Sequence, residues 1–215
     1  MSRKTEYLKS VDEYFHLYNR GVNREPIFFS RSDYADFIDR MVRYLDRSAL
    51  SLLAFCLMPN HYHLIVWQKV PYAMAEFVKA VCEGYAKRIN AWRGRKGHLF
   101  QERYKLKHVY DHSYLVSLSR YVHMNPVQAK LVRSPIDWAF SSCREYCSRP
   151  SNVLVEAEVI LSRMGSPEQY LNSLVEFNTQ DAEQAKRFLK HRNRKHQEPG
   201  IATTGTIRNR GAEVL

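Results

Sequence analysis

Long apolar runs and internal repeats are both absent from this chain of 215 residues, and cysteine is scarce. No apolar stretch approaches the roughly 20 residues that a bilayer-spanning helix needs. The first six residues, MSRKTE, contain no apolar core of the kind found in a signal peptide. We therefore expect a soluble cytoplasmic protein that neither crosses nor enters a membrane.

The few cysteines do not form a recognisable metal or disulfide pattern. Cys143 and Cys147 are four residues apart and would be neighbours on a helix, but two ligands do not complete a zinc site. Cys56 and Cys82 stand alone. We expect all four cysteines to be reduced thiols, as is usual in the cytosol.

Acidic residues are also few relative to basic ones. The chain has 33 Lys and Arg against 22 Asp and Glu, a net charge of +11, together with 14 tyrosines. Such an excess favours a polyanionic partner, with nucleic acid ahead of a membrane surface. A basic protein without such a partner is the alternative. The 45% of hydrophobic residues indicates a folded chain, long enough for one domain and an appendage.

The hydrophobic pattern changes period several times along the first 150 residues. Short aromatic-rich or apolar segments predict four strands, at residues 13–19, 50–56, 61–67 and 104–110. Apolar residues at three- and four-residue intervals predict helices with one buried face, at residues 34–45, 71–89 and 114–125. Pro126 should end or kink the last of these helices, and residues 127–132 could add a short one.

The order of these elements predicts an α+β fold with an antiparallel sheet. Residues 57–60 connect the second and third strands and are too few for a parallel crossover, so these strands should form a hairpin. A ferredoxin-like arrangement, with helices packed on the sheet, fits this order best. We expect residues 1–150 to form the catalytic domain, 151–196 a basic helical extension and 197–215 a flexible tail.

Two histidines at the entrance of the third strand are the first candidates for chemistry. His61 and His63 are two residues apart, so on a strand they point to the same face and can share one metal ion. Pro59 and Asn60 just before them indicate a turn. From this stretch alone, two ordinary half-buried histidines are the more frequent interpretation.

A second candidate pair lies on the helix that precedes Pro126. Tyr121 and Asn125 are four residues apart and share a helix face. If that face covers the strand with the histidines, Asn125 offers a carboxamide oxygen to the ion and Tyr121 stands about where a bound phosphate would meet it. A core tyrosine with its hydroxyl at the surface is the alternative reading of the spacing.

The combination of these motifs resembles a known family. The stretch PNHYH at residues 59–63 matches the HUH motif (His-hydrophobic-His) of single-tyrosine transposases and relaxases, and further matching stretches are YNRG at 18–21, GHLFQERYK at 97–105 and residues 119–127. Together they span about residues 12–147. The chain is most similar to the single-tyrosine transposases of small insertion sequences, in the branch associated with repetitive extragenic palindromes (REP).

This resemblance implies a mechanism and a set of roles. His61 and His63 match the metal-binding pair for Mg²⁺ or Mn²⁺, Tyr121 matches the nucleophile, and Asn125 occupies the position of a third, polar ligand that is glutamine in some relatives. Tyr121 would attack single-stranded DNA to give a 5′-phosphotyrosine and a free 3′-hydroxyl. Because that bond conserves the energy of the phosphodiester, the absence of a GxxxxGK[ST] phosphate loop is expected.

The resemblance also implies partners. Single-stranded or hairpin DNA would be the substrate, the protein would act as a monomer or a homodimer, and it would be associated with the nucleoid. A catalytically silent palindrome-binding protein and a nuclease that uses water are the alternatives. We expect the DNA to be held by basic residues near the site that alternate with aromatic ones. They are Arg20, Arg24, Arg93, Arg95, Lys96, Arg103, Lys105 and Lys107.

Overall fold

The protein is built around one four-stranded sheet with helices on both of its faces. The computed structural model describes residues 3–147 and 154–190. The strands are β1 (Glu13–Arg20), β2 (Leu50–Met58), β3 (His61–Gln68) and β4 (Lys105–His108). They lie in the order β2-β3-β1-β4, and every neighbouring pair is antiparallel. This order, with helical crossovers between β1 and β2 and between β3 and β4, is the predicted ferredoxin-like α+β fold.

Each of the three predicted periodic segments is helical, with different boundaries, and the described residues contain further helices. The helices before and within the sheet region are α1 (Arg3–Lys9), α2 (Arg31–Leu45), α3 (Ala73–Val78) and α4 (Gly84–Arg93). A π-helical turn, Lys79–Glu83, joins α3 to α4. Those after β4 are α5 (His112–Gln128), α6 (Cys143–Cys147), α7 (Glu158–Leu161), α8 (Pro167–Val175) and α9 (Thr179–Lys190). Short 3₁₀ turns occupy Val22–Arg24 and Pro135–Asp137.

The β2–β3 hairpin brings the predicted histidines beside the end of β1. Its connection is only Pro59 and Asn60, and the strands on either side pair from Met58 to His61. The Pro59 carbonyl oxygen accepts the backbone N–H groups of Ile27 and Phe28, at 2.8 and 3.1 Å. The chain that leaves β1 is thereby tied to the tip of the hairpin. The predicted antiparallel hairpin is confirmed.

Alternation along β3 divides its side chains between two helical layers. On one face, the Tyr62 ring packs against Phe37 of α2, with centroids 5.5 Å apart, and its hydroxyl lies 3.3 Å from Sγ of Cys82. On the other face, the His63 ring meets Tyr121 of α5 at 5.8 Å. α5 is therefore the layer that closes the sheet on the side of the two histidines.

α5 differs from the prediction at its carboxyl end. The helix does not end at Pro126 but continues two residues further, to Gln128. The expected short helix at 127–132 does not form, and the chain makes turns there instead. Pro126 has no N–H to donate to the carbonyl oxygen of Val122. The side-chain nitrogen of Asn125 donates to that oxygen instead, at 3.4 Å.

The helices after residue 154 pack against the outer side of α5. The Tyr170 hydroxyl on α8 contacts Nδ1 of His123 at 2.8 Å and Oγ of Ser119 at 2.9 Å. The Tyr114 hydroxyl donates to the carbonyl oxygen of Ala185 on α9, at 3.0 Å. The described part of the predicted helical extension at 151–196, residues 154–190, contains α7, α8 and α9.

The boundaries proposed from the sequence are not decided by this packing. The boundary at residue 150 and the tail at 197–215 both lie outside the described residues, so the division into catalytic domain, extension and tail stays a prediction. Among the described helices, none is both long and apolar enough to cross a membrane.

Candidate active site

His61 and His63 stand at the start of β3, directly beside the end of β1. In the antiparallel register His61 lies opposite Arg20 and His63 lies opposite Tyr18. The two imidazole rings are nearly perpendicular, with centroids 5.0 Å apart. Tyr121 contacts the His63 ring from α5 in the same edge-on manner. The prediction that the two histidines share a face, and that the helix with Tyr121 covers it, is confirmed.

Asn60 determines which nitrogen of His61 carries the proton. Its carboxamide nitrogen donates to the carbonyl oxygen of Arg24 at 3.0 Å, which turns the carboxamide oxygen towards His61. That oxygen lies 2.6 Å from Nδ1 of His61. Because an amide oxygen can only accept, Nδ1 is the protonated nitrogen and Nε2 keeps its lone pair. His61 is thereby held in the tautomer that binds a metal through Nε2.

His63 is contacted from within the sheet by a histidine that the sequence did not single out. Nε2 of His16 lies 2.9 Å from Nδ1 of His63, and the two rings are nearly parallel, 13° apart. His16 is fully buried on β1. The Tyr18 ring stacks on both, at 4.9 Å from His16 and 5.9 Å from His63. The only sequence signal was a histidine two residues before Tyr18 in an apolar strand.

The carboxamide of Asn125 is oriented by its own helix. Its nitrogen donates to the carbonyl oxygens of Tyr121 and Val122, at 2.8 and 3.4 Å. The nitrogen is thus occupied, and the oxygen is the atom left for contacts outside α5. The side chain of Asn125 lies close enough to His61 to raise the pKa of that imidazole, so the predicted third ligand is near the first.

Burial keeps both histidines of the site uncharged. Burial lowers the pKa of His61 to about 4, although the side chain of Asn125 raises it and the charge of Arg20 lowers it further. Burial also lowers the pKa of His63 well below its ordinary value, and the neighbouring His16 and His61 add to this. At neutral pH both imidazoles are therefore in the form that binds a metal ion.

Tyr121 is protonated under the same conditions. Burial raises its pKa above the ordinary value of 10, the nearby Tyr18 raises it further, and the side chain of Asn125 lowers it. The residue is 7% exposed. A group that makes the phosphorus more electrophilic would compensate for this weak nucleophile.

The donor set fits a divalent cation. In residues 3–147 and 154–190, no cluster of three or more His, Cys, Asp or Glu side chains could hold an ion. The candidate set is instead two neutral imidazoles and one carboxamide oxygen, which leaves coordination positions open for substrate. The free lone pair of His61 and the carboxamide oxygen of Asn125 are both acceptors, as the ligands of a cation are.

A cavity of about 350 Å³ opens beside His61. The Arg20 guanidinium donates through Nε to Oε1 of Gln101 at 2.6 Å, and Asn19 donates to the carbonyl oxygen of Glu102 at 3.0 Å. These bonds hold the 100–104 loop against the end of β1. The cavity is lined by Tyr18, Asn19, Arg20, Arg24, Asn60, His61, Gln101, Glu102 and Lys105.

Four of the predicted DNA-binding residues lie on or next to this cavity. Arg20, Arg24 and Lys105 line it, and Nζ of Lys105 is 3.9 Å from the carboxylate of Glu102. Lys107 is on the same sheet face as Lys105, because the two lie opposite His16 and Tyr18 respectively. The predicted basic face of β4 therefore borders the site.

The other four are outside the cavity. Arg93 lies over the rings of Phe29 and Trp92, at 3.8 and 4.8 Å. Arg95 is 3.3 Å from the carboxylate of Glu25. Two further cations are exposed in the loops between α4 and β4, Lys96 and Arg103. The sequence reasoning missed His16, Tyr18, Asn60 and Gln101, whose roles depend on partners distant in sequence or on side-chain direction.

Comparisons with known proteins give one likeness in fold and one family match. A REP-associated tyrosine transposase, solved bound to a REP hairpin, superposes with a TM-score of 0.56 at 14% identity, covering 68% of this chain and 86% of that one. At this identity the likeness shows a shared fold. A candidate transposase of Deinococcus radiodurans R1 gives a TM-score of 0.38 at 20% identity, over 47% of this chain and 82% of that one. No curated protein compared with the chain matches it.

A family model provides the assignment that these structural likenesses do not. The model described as "Transposase IS200 like" matches residues 9–125, which is more than half of the chain. The matched region begins before β1 and ends at Asn125, so it contains both histidines and Tyr121. The chain belongs to the IS200-like transposase family.

Proposed function

We propose that this protein is a divalent-metal-dependent transposase that cleaves and rejoins single-stranded DNA at hairpins through a 5′-phosphotyrosine on Tyr121. The observation that carries the proposal is the position of Tyr121. It contacts the His63 ring at 5.8 Å and lies one helical turn from Asn125, which in turn lies near His61. The nucleophile and the three proposed ligands thus belong to one site.

The reaction follows from the chemistry of the phenol. The Tyr121 oxygen attacks the phosphorus, a phosphorus–oxygen bond forms to tyrosine, and the bond to the 3′-oxygen breaks. The phenol proton leaves to solvent, and the departing 3′-oxygen takes up a proton to become a 3′-hydroxyl. The reverse reaction, with another 3′-hydroxyl as attacker, rejoins the strand without an external energy source.

His61, His63 and Asn125 would hold the ion, Mg²⁺ or Mn²⁺. When bound, a divalent ion polarises a phosphoryl oxygen and so favours attack by a weak nucleophile. The chain contributes orientation: Asn60 fixes the proton of His61, and the backbone of α5 turns the oxygen of Asn125 towards the site. The burial of both imidazoles keeps their lone pairs available at neutral pH.

The cavity beside His61 is where we propose that the strand adjoining the scissile phosphate lies. Arg20, Arg24 and Lys105 supply positive charge along it, and the Tyr18 ring offers a face for stacking. The shared fold with a transposase solved on a REP hairpin supports hairpin DNA as the substrate class. Trp92, which is 62% exposed and lies beside Arg93, could stack a further unpaired base.

One assay tests the proposal against its alternatives. Labelled single-stranded hairpins, taken from palindromes beside the gene, are incubated with the protein and Mn²⁺, denatured, and examined for DNA attached to protein. We expect an adduct that requires metal and is lost in Tyr121→Phe. Tyr114→Phe is the matched control, since it removes another tyrosine hydroxyl from α5 outside the site, and it should keep the adduct.

The remaining outcomes identify the alternatives. Cleavage without an adduct would indicate a nuclease that uses water. Specific hairpin binding without cleavage, across all hairpins and with either metal, would indicate a catalytically silent palindrome-binding protein. An adduct that survives Tyr121→Phe would show that the nucleophile is another residue.

A further inference from the structure

His16 forms a buried polar contact that packing does not require. It is fully buried, its Nε2 lies 2.9 Å from Nδ1 of His63, and its Nδ1 has no hydrogen-bond partner among the described residues. Leaving a buried polar atom without a partner is unfavourable, and an apolar ring would fill the same space without that cost. The histidine at this position therefore calls for a functional explanation.

The contact between His16 and His63 allows two proton arrangements. A neutral imidazole has one protonated and one unprotonated ring nitrogen, so either ring could donate across the 2.9 Å contact. If His16 donates through Nε2, His63 accepts at Nδ1 and its own proton must be on Nε2. If His63 donates through Nδ1, His16 accepts, and Nε2 of His63 is left with a lone pair.

Only the second arrangement is compatible with His63 as a ligand. A metal binds the unprotonated nitrogen of a neutral imidazole, and the hydrogen bond made by the other nitrogen selects which one that is. The first arrangement leaves no lone pair on His63 for the ion. Metal binding at His63 is therefore linked to the direction of its hydrogen bond with His16.

We propose that His16 is a positioning residue of the metal centre: it accepts the Nδ1 proton of His63 and so presents the unprotonated Nε2 of His63 to the divalent ion. This inference rests on the proposed function, in which His63 is a metal ligand. It completes a pattern in the site, since Asn60 does the same for His61 and the carbonyl oxygens of α5 orient Asn125.

The aromatic stack around His16 supports this role. The His16 ring is within 13° of the plane of His63 and 18° of the plane of Tyr18, so it is clamped in one orientation. The β1–β3 ladder fixes the distance between the two strands that carry these rings. Because the His16 ring is held rigidly, a hydrogen bond to it restricts the orientation of the His63 ring.

The test measures metal affinity in the absence of DNA. Mn²⁺ is titrated into the full chain, and the free ion is counted by its electron paramagnetic resonance signal. His16→Phe keeps a ring but removes the acceptor, and we expect it to weaken Mn²⁺ binding by about 10- to 100-fold. His16→Gln keeps an acceptor oxygen and should recover most of the wild-type affinity.

His108→Phe is the matched control. His108 is also a histidine of the sheet, but it lies on β4 and its Nε2 contacts the carboxylate of Glu13 at 2.5 Å, away from the site. We expect its Mn²⁺ affinity to equal that of the wild type. Circular dichroism and thermal unfolding of each variant report whether the fold is intact.

A second measurement does not depend on any variant folding. Nitrogen-15 NMR of the imidazole rings, in wild-type protein saturated with Mg²⁺, should show His63 protonated on Nδ1 and His16 protonated on Nδ1. A proton on Nε2 of His63 in the metal-bound protein would overturn the inference. So would a folded His16→Phe variant that binds Mn²⁺ as tightly as the wild type.

The result also separates this inference from the proposed function. If the wild-type protein binds no Mn²⁺, both the proposed metal dependence and the proposed role of His16 are wrong. If the wild-type protein binds Mn²⁺ and the His16→Phe variant binds it equally well, only the proposed role of His16 is wrong.

Discussion

At the scale of single residues, each proposed ligand is oriented by a different neighbour. Asn60 is adjacent to His61 in sequence, His16 is on the next strand, and the partners of Asn125 are carbonyl oxygens of its own helix. In the proposed arrangement, each of these contacts leaves its ligand with a lone pair for the ion. The proposed nucleophile differs, because Tyr121 retains its proton at neutral pH and its environment raises its pKa.

That raised pKa predicts the pH dependence of adduct formation. The phenolate is the reactive form, and below the pKa its population grows tenfold with each pH unit. Because burial and the nearby Tyr18 shift the pKa of Tyr121 upwards, the single-turnover rate should rise steadily from pH 7 to 9 without reaching a plateau. The measurement is the rate of adduct formation at saturating hairpin, with hairpin binding measured separately at each pH.

A plateau below pH 9 would contradict this prediction. It would mean that Tyr121 is already deprotonated near neutral pH, or that a different step limits the rate. Tyr121→Phe provides the baseline, since any signal that survives in it does not report on this phenol.

At the scale of elements, α5 is the part of the molecule that unites the site with the segment after residue 154. One side of the helix carries Tyr121 and Asn125 towards the sheet. The other side is held by α8 and α9: Arg120 donates to the carbonyl oxygen of Ser173 at 2.8 and 3.1 Å and lies 3.7 Å from the carboxylate of Asp181. Its guanidinium also lies 5.3 Å from the ring centre of Phe177.

We therefore expect Arg120→Ala to impair both stability and catalysis. Loss of its charged hydrogen bonds should lower the free energy of unfolding by about 1.5–3 kcal/mol. Because the adjacent residue, Tyr121, is the proposed nucleophile, loosening α5 should slow adduct formation at saturating hairpin by about 10- to 100-fold. Urea unfolding and single-turnover assays measure the two effects.

The control for Arg120→Ala is another arginine of the same segment. Arg187 on α9 forms only an exposed pair with Glu183, at 3.7 Å, so Arg187→Ala should change the free energy of unfolding by less than about 0.5 kcal/mol. If Arg120→Ala lowers stability but leaves the rate unchanged, the contacts of α8 and α9 stabilise the fold without positioning the nucleophile.

At the scale of the whole molecule, only some of the cations behind the net charge of +11 lie where we propose that DNA binds. Arg20, Arg24 and Lys105 border the cavity, whereas Arg95 is engaged with Glu25. Cations that contact phosphates release counterions on binding, and their contribution is seen in the salt dependence of affinity.

Replacing Arg20, Arg24 and Lys105 together by alanine should therefore weaken hairpin binding and reduce its salt dependence. For three contacts to single-stranded phosphates, the slope of log K against log salt should become shallower by about 2. Fluorescence anisotropy between 50 and 300 mM salt is a suitable measurement. An unchanged slope would place the DNA elsewhere on the surface.

A charge-matched variant distinguishes local contacts from the overall field. Arg47 in the turn after α2, Lys79 in the π-helical turn and Lys87 on α4 are exposed and do not line the cavity. Their replacement removes the same three charges. We expect this control to change the slope much less. Equal effects of the two variants would mean that net charge, rather than the cavity, determines affinity.

The features that could be predicted from the sequence are those that depend on local periodicity. Alternation on β3 put His61 and His63 on one face, the four-residue spacing put Tyr121 and Asn125 on one side of a helix, and the short 57–60 link required a hairpin. From these elements the order of the fold followed, and the motifs gave the family. Such features can be predicted from a sequence because they involve residues within a few positions of one another.

Tertiary structure alone decided which distant side chains meet. His16 and His63 are 47 residues apart, and Arg20 and Gln101 are 81 apart, so no periodicity links them. The strand register sets these pairs. It also took packing to keep α5 helical past Pro126, where the Asn125 side chain supplies the donor that proline lacks. The sequence thus predicted the ligands and the nucleophile, whereas the fold decided which side chains contact them.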